Sequence, residues 1–322
     1  MVRRKNAMGY IYGGLLLLAL LGACARRGAA PQDAVRPTEE TTITQTTSTT
    51  ETSSENRIQF GVLSIDSATS VNERYGPLMS YLSETVGHPF ELVPVSQEGQ
   101  FAAVAAGELD FIANNPLSAV QIQRLHQTTF LVTHHRPQTG AEFSGLIVVR
   151  QDSDIQTLED LRGKRVACVA FQTAAAGCTF QIFHLLQNDI DPFTDFGSFV
   201  ENKSQDNIVL AVLNDTIDAG FIRTGQLEKM VDKGLISSVE EVRILDPKAD
   251  GFPFVHTTDR YPEWPIAALE GTDQDLVQAV ESALLNIPDD HPTLVSLKAN
   301  RFIPAVDYTK IDDLIQALKL RS

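Results

Sequence analysis

Residues 166–186 read Val-Ala-Cys-Val-Ala-Phe-Gln-Thr-Ala-Ala-Ala-Gly-Cys-Thr-Phe-Gln-Ile-Phe-His-Leu-Leu (VACVAFQTAAAGCTFQIFHLL). A buried-strand pattern gives way to tiny side chains and then to a helical one. A strand that turns through bare backbone into a helix is the repeating unit of an α/β fold. Two readings of the turn stay open on these residues. It is a tight strand-to-helix turn whose alanines pack on a neighbour, with Thr179 as a local cap. Or its free N–H groups and the positive end of the helix dipole hold an anion, with Thr173 and Thr179 adding hydroxyls and Gly177 letting a ligand come close.

The same grammar runs outward in both directions. Apolar runs predict strands at 58–63, 90–95, 109–113 and 130–132, with helices at 71–86, 100–106 and 117–125 between them. Residues 143–150 look like a crossover strand, after which the alternation restarts. It continues with a helix at 158–163, the strand and helix of the opening stretch, a strand near Ser198, a helix at 206–213, a strand at 219–222 and a helix at 226–231. Beyond Asp250 come a short strand at 254–257 and helices at 273–285, 292–299 and 311–318. The expected result is an α/β protein with mainly parallel sheets in two lobes, one from residues 57–145 with 251–322 and one from 146–250. Helix starts and strand carboxyl ends then meet in the cleft between lobes, where ligands of such sheets bind.

Ahead of this body, Arg3, Arg4 and Lys5 precede an apolar run ending in Leu21-Gly22-Ala23-Cys24. The order predicts a secretory signal over residues 1–23, too short to stay as a spanning helix. Leu-Gly-Ala-Cys also has the form of a lipobox, which makes Cys24 the lipid attachment site. Residues 24–56, threonine-rich and poor in apolar side chains, predict a disordered tether. The protein is therefore expected to be exported and lipid-anchored, on the periplasmic or extracytoplasmic face of a bacterial membrane.

A formal charge of −15 excludes an electrostatic grip on nucleic acid, so an anionic ligand needs a local positive field. Cys168 and Cys178 form an even pair in an exported chain, one in the strand and one at the helix start. They predict a disulfide rather than two buried thiols, at a spacing foreign to zinc sites.

Several ordered segments resemble the periplasmic phosphate/phosphite/phosphonate-binding family, the solute receptors of ABC transporters. They are Phe60-Gly-Val-Leu, Ser67-Ala-Thr-Ser, Tyr75-Gly-Pro-Leu-Met-Ser-Tyr-Leu, Ala106-Gly-Glu-Leu-Asp-Phe, Asn115-Pro-Leu-Ser, Leu158-Glu-Asp-Leu-Arg-Gly-Lys-Arg-Val and Leu210-Ala-Val-Leu-Asn-Asp-Thr-Ile-Asp-Ala-Gly. The resemblance implies a two-lobed type II periplasmic-binding-protein fold, and it makes Tyr75 a ligand contact. Phe221-Ile-Arg-Thr-Gly-Gln-Leu and His256-Thr-Thr-Asp-Arg-Tyr-Pro-Glu-Trp look more like the variant fused to sensor kinases. Where transporter members have Ser-Thr-Ser-Gly and Ser-x-His-Asp, this chain has Ala174-Ala-Ala-Gly and Ser204-Gln-Asp, which puts phosphonate itself in question.

The expected ligand set is Ser67, Thr69, Tyr75, Asn115, Ser118, Thr173, Gly177, Thr179, Asp206, Arg223 and Thr224. The hydroxyl-rich turns at 67–70 and 115–118 serve equally as helix caps, as does Asp206. Arg223 stands at the end of an apolar strand, where its fork suits an oxoanion; a structural role, pairing with Asp206, is the other reading. Tyr261 and Trp264 are expected to pack. His134-His135 has no third ligand at readable spacing and is read as a solvated loop, not a metal site. No catalytic motif and no cofactor motif is present. The expectation is a monomeric receptor that delivers a small oxoanion to an ABC permease or presents it to a membrane sensor kinase.

Overall fold

The computed structural model describes residues 57–65 and 67–320. The signal, the Cys24 lipobox and the tether lie outside the described residues. The chain opens β1 (Ile58–Leu63), α1 (Ala68–Val86), β2 (Phe90–Val95), α2 (Gly99–Ala105), β3 (Phe111–Ala113), α3 (Pro116–His126), β4 (Thr129–His135), β5 (Glu142–Phe143) and β6 (Gly145–Arg150). Next come β7 (Arg165–Cys168), a wide π turn (Ala175–Thr179) leading into α4 (Phe180–Gln187), α5 (Pro192–Asp195), β8 (Ser198–Glu201), α6 (Gln205–Leu213), β9 (Ala219–Arg223), α7 (Gln226–Asp232) and β10 (Val242–Ile244). The chain closes with β11 (Tyr261–Pro262), β12 (Pro265–Ala268), α8 (Gln274–Leu285), α9 (Pro292–Leu297), β13 (Arg301–Pro304) and α10 (Thr309–Leu318).

Two sheets carry two α/β lobes. One runs β13-β4-β12-β3-β1-β2 and the other β10-β6-β9-β7-β8. In each, the strands linked by βα units pair in parallel: β2 and β3 on β1, and β8 and β9 on β7. The crossing and returning strands pair antiparallel, with β12 between β3 and β4, and β6 between β9 and β10. Both sheets are therefore mixed.

The first lobe's core gathers Phe60, Val62, Leu78, Leu82 and Phe111. Each fully buried large apolar side chain of this kind contributes about 1.5–3 kcal/mol. Helix α1 supplies Val71, Tyr75, Leu78 and Leu82 to that core at helical spacing. Its N-cap Ser67 accepts the Ser70 N–H at 3.1 Å, and Gly87, with φ 81°, ends it. The second core forms around Ile147, Val166, Phe221 and Ile222.

Three expectations are corrected. Residues 254–257 form no strand: there is an isolated bridge from Lys248 to His256, and the Thr257 and Thr258 N–H groups both donate to the Gly145 carbonyl instead of entering a ladder. His134-His135 is no solvated loop but the end of β4, with His134 fully buried, because the strand continues past the apolar run that signalled it. The segment 158–163 is also reduced to one short turn over Glu159–Leu161 before Gly163.

Candidate functional site

The carboxyl ends of β1, β7 and β9, the loops after β2 and β3, and the wide turn converge on one cleft of about 390 Å³, counting its open mouth. From the first lobe it is lined by Leu63, Ile65, Gln97, Asn115 and Trp264. From the second come Val169, Ala174 to Gly177, Gln205 and Arg223, with Phe143 at the crossover.

The second-lobe wall is mostly backbone. At a helix start the first N–H groups have no partner within the helix, and the small side chains of Ala175, Ala176 and Gly177 leave them approachable. Gly177 is required for space: a Cβ there would stand 2.8 Å from Val169 Cγ2. Three braces fix the turn. Cys168 and Cys178 are joined in a disulfide, with Cα atoms 5.0 Å apart. Thr179 Oγ1 donates to the Ala174 carbonyl at 2.9 Å, and the buried Gln181 amide donates to the Ala176 and Ile222 carbonyls at 2.7 and 2.9 Å. Arg223, half-buried, has its backbone N–H fixed by Gln205 Oε1 at 2.8 Å.

The first-lobe wall is made of side chains. Asn115 caps α3 through the Ser118 N–H at 3.1 Å, and its amide reaches across to the Thr173 carbonyl at 3.0 Å. Ser118 Oγ donates to the same carbonyl at 3.2 Å, and Gln121 Nε2 donates to the Gln172 carbonyl at 3.1 Å. These three bonds tie the lobes together beside the cleft.

Beneath Trp264 lies a buried charged cluster. Arg136 Nε stands 3.3 Å from Glu263 Oε1, and Glu263 Oε2 also accepts the Trp264 N–H. Burial pushes the Glu263 carboxyl up, but Arg136, Arg223 and that N–H outweigh it and hold the group below the usual carboxylate range. Glu263 thus stays charged. His134 Nδ1 contacts the Trp264 carbonyl at 3.0 Å; burial, then the Arg136 charge, lowers its pKa to about 3, leaving a neutral ring.

Of the expected residues, Asn115, Gly177 and Arg223 line the cleft, and Tyr75 lines an adjoining chamber. Thr173 is buried, its carbonyl bonded to the first lobe and its hydroxyl without a partner among the described residues. The others are not brought in. Ser67 caps α1, Thr69 is exposed in its first turn, and Thr179 bonds within its own turn. Thr224 Oγ1 exchanges hydrogen bonds with the Ser144 backbone at the crossover. Asp206 pairs with Lys233 at 2.9 Å and accepts from Gln226. Gln97, Gln205 and Arg74, absent from the expected ligand set, also line these spaces, and Trp264, expected to pack, lines both. Gln97, in the loop before α2, and Gln205, at the first position of α6, share one signal, an uncharged amide at a helix start; Arg74 carries none in the sequence.

A sequence model described as "ABC transporter, phosphonate, periplasmic substrate-binding protein" matches residues 60–309. The chain is 27% identical over 233 residues to the tetrathionate sensor histidine kinase TtrS of Salmonella typhimurium, covering 71% of this chain and only 39% of that relative. Its fold is similar to that of PhnD1 from Prochlorococcus marinus in complex with methylphosphonate, with TM-score 0.68, 16% identity, and 82% and 98% of the two chains covered. It is also similar to a binding-protein component of an ABC phosphonate transporter from Pseudomonas aeruginosa, with TM-score 0.65, 15% identity, and 82% and 84% covered.

Proposed function

This chain belongs to the periplasmic substrate-binding proteins of phosphonate ABC transporters, and from that premise we propose that it captures a small oxoanion in the cleft and delivers it to an ABC permease. The observation that carries this reading is Arg223. An acidic protein places a guanidinium at a strand end, in a cleft where the same second-lobe wall offers the small-residue backbone of a helix start. The lobes, 57–145 with 251–322 and 146–250, close on the anion, and contacts made only when closed shift the population. Cleavage after residue 23 and lipid on Cys24 would hold the receptor at the membrane through the 24–56 tether.

Calorimetric titration of the purified chain with phosphate, phosphite, methylphosphonate, sulfate, thiosulfate and tetrathionate tests the core claim. Saturable binding of at least one, lost in Arg223→Gln, is expected. Silence from all six would sink it.

A second reading, supported by the likeness to TtrS across most of the body, is that the closed form is read by a membrane sensor kinase. In a deletion strain, loss of labelled-anion uptake supports the permease, whereas intact uptake with a lost transcriptional response supports the sensor.

A further inference from the structure

A second, smaller chamber of about 240 Å³, counting its open mouth, shares Leu63, Ile65 and Trp264 with the first. These three side chains form an apolar waist between two compartments. Beyond the waist the lining is Ser70, Val71, Arg74 and Tyr75, which bring polar groups in among apolar ones.

Two donors there lack acceptors. Tyr75 is only 2% exposed, and its hydroxyl is buried with no hydrogen-bond partner among the described residues. Arg74 Nε is likewise buried without one, and among the described residues Arg74 makes no ion pair. Its guanidinium lies 5.8 Å from the centre of the Tyr75 ring. The other nearby guanidinium, Arg136, faces Glu263, whereas no carboxylate among the described residues pairs with Arg74. A buried donor left unsatisfied lowers stability, and native interiors rarely tolerate one. Two beside the same chamber, one of them cationic, call for a single anionic acceptor.

Resting on the reading of the Arg223 cleft as an oxoanion site, we infer that the ligand is a two-ended anion. One oxoanion group lies by Arg223, Gln205 and the wide turn. The second enters the far chamber and accepts from Tyr75 Oη and Arg74 Nε. A short apolar or sulfur-containing bridge crosses the waist between Leu63, Ile65 and Trp264. A one-ended phosphonate would leave the far donors unmet.

Titration of the full chain compares one-ended probes, methylphosphonate and methanesulfonate, with two-ended ones: methylenediphosphonate, 1,2-ethanedisulfonate and tetrathionate. At least one two-ended probe should bind about ten-fold more tightly than the one-ended probes, the scale of one added charge-assisted contact. Arg74→Gln should erase that advantage while changing one-ended affinity less than about two-fold, and Arg223→Gln should weaken both classes. Tyr75→Phe removes only an unpartnered oxygen, so it should keep the melting temperature and lower two-ended affinity alone. If one-ended probes bind as tightly as every two-ended probe, or if Arg74→Gln weakens both classes alike, the inference fails while the oxoanion reading survives. If neither class binds, both fall.

Discussion

The two walls of the cleft come from the same strand-turn-helix unit and solve it in opposite ways. After β3 the turn carries Asn115 and Ser118, whose polar atoms cap α3 and bond to the opposite lobe. After β7 it carries alanines and Gly177, held by a disulfide and by Gln181. Polar side chains at a turn satisfy themselves locally, so a hydroxyl-rich loop is ordinarily structural. Bare backbone cannot do this, and Arg223, whose Nε donates to the Thr224 carbonyl at 3.2 Å, lines the cleft beside it. The first lobe adds a buried ion pair under its wall, Arg136 with Glu263.

The largest effect should follow from breaking that ion pair. Glu263→Gln leaves Arg136, only 12% exposed, facing an uncharged amide. Removing one partner of a buried pair costs about 3–5 kcal/mol. Urea unfolding should show a loss in this range; a loss below about 1 kcal/mol would mean that the Leu297 carbonyl, 2.8 Å from Arg136, suffices.

Opening the second wall should come next. The bridge closes a separation of ten residues, and the paired change of Cys168 and Cys178 to Ala should cost about 2–3 kcal/mol. Oxoanion affinity should fall with it, because the turn's N–H groups lose their fixed aim. A variant that binds as well as the parent would show that Gln181 alone holds the turn.

Acid tests the first lobe again. An unfolded histidine takes up its proton below about pH 6.5, whereas folded His134, buried and near Arg136, resists until about 3. The unfolded chain therefore binds more protons between these values. The stabilisation is complete above the unfolded pKa and is lost as pH falls toward 3, by at most about 1.4 kcal/mol per pH unit, so about 2 kcal/mol between pH 6.5 and 5. His134→Gln should flatten that part of the stability profile. An unchanged slope would assign it to other groups.

These contrasts also mark what could be read in advance. The βα units, the wide turn and Arg223 at its strand end follow from local patterns of apolar period and small residues. β11, β12 and β13 do not: they are two to four residues long, each contains proline, and each pairs antiparallel with a strand far away in sequence. Glu263 looks like a surface carboxylate because its partner Arg136 is 127 residues away. Ser67, Thr179 and Thr224 look like ligand donors because a hydroxyl's partner is not visible in sequence; each is taken by backbone.

Ser118 offers the smallest effect and the finest discrimination. Its oxygen donates to the Thr173 carbonyl at 3.2 Å and accepts from Gln100 Nε2 and Asn115 Nδ2 at 3.1 and 3.3 Å. Every polar contact it makes is thus to protein, and it is fully buried. Ser118→Ala removes one neutral bond between the lobes while Asn115 Nδ2 keeps its own to Thr173, so the stability loss should be about 1 kcal/mol. If the bond exists only with the lobes closed, the same amount comes off the closed state, and oxoanion affinity should drop about five-fold, equally for every anion tested. The loss should appear as faster dissociation with little change in association. An affinity loss of more than about a hundred-fold, or one that differs between anions, is too large or too selective for a latch. Ser118 would then touch the ligand directly, and the division between a self-satisfied wall and a bare one would have to be redrawn.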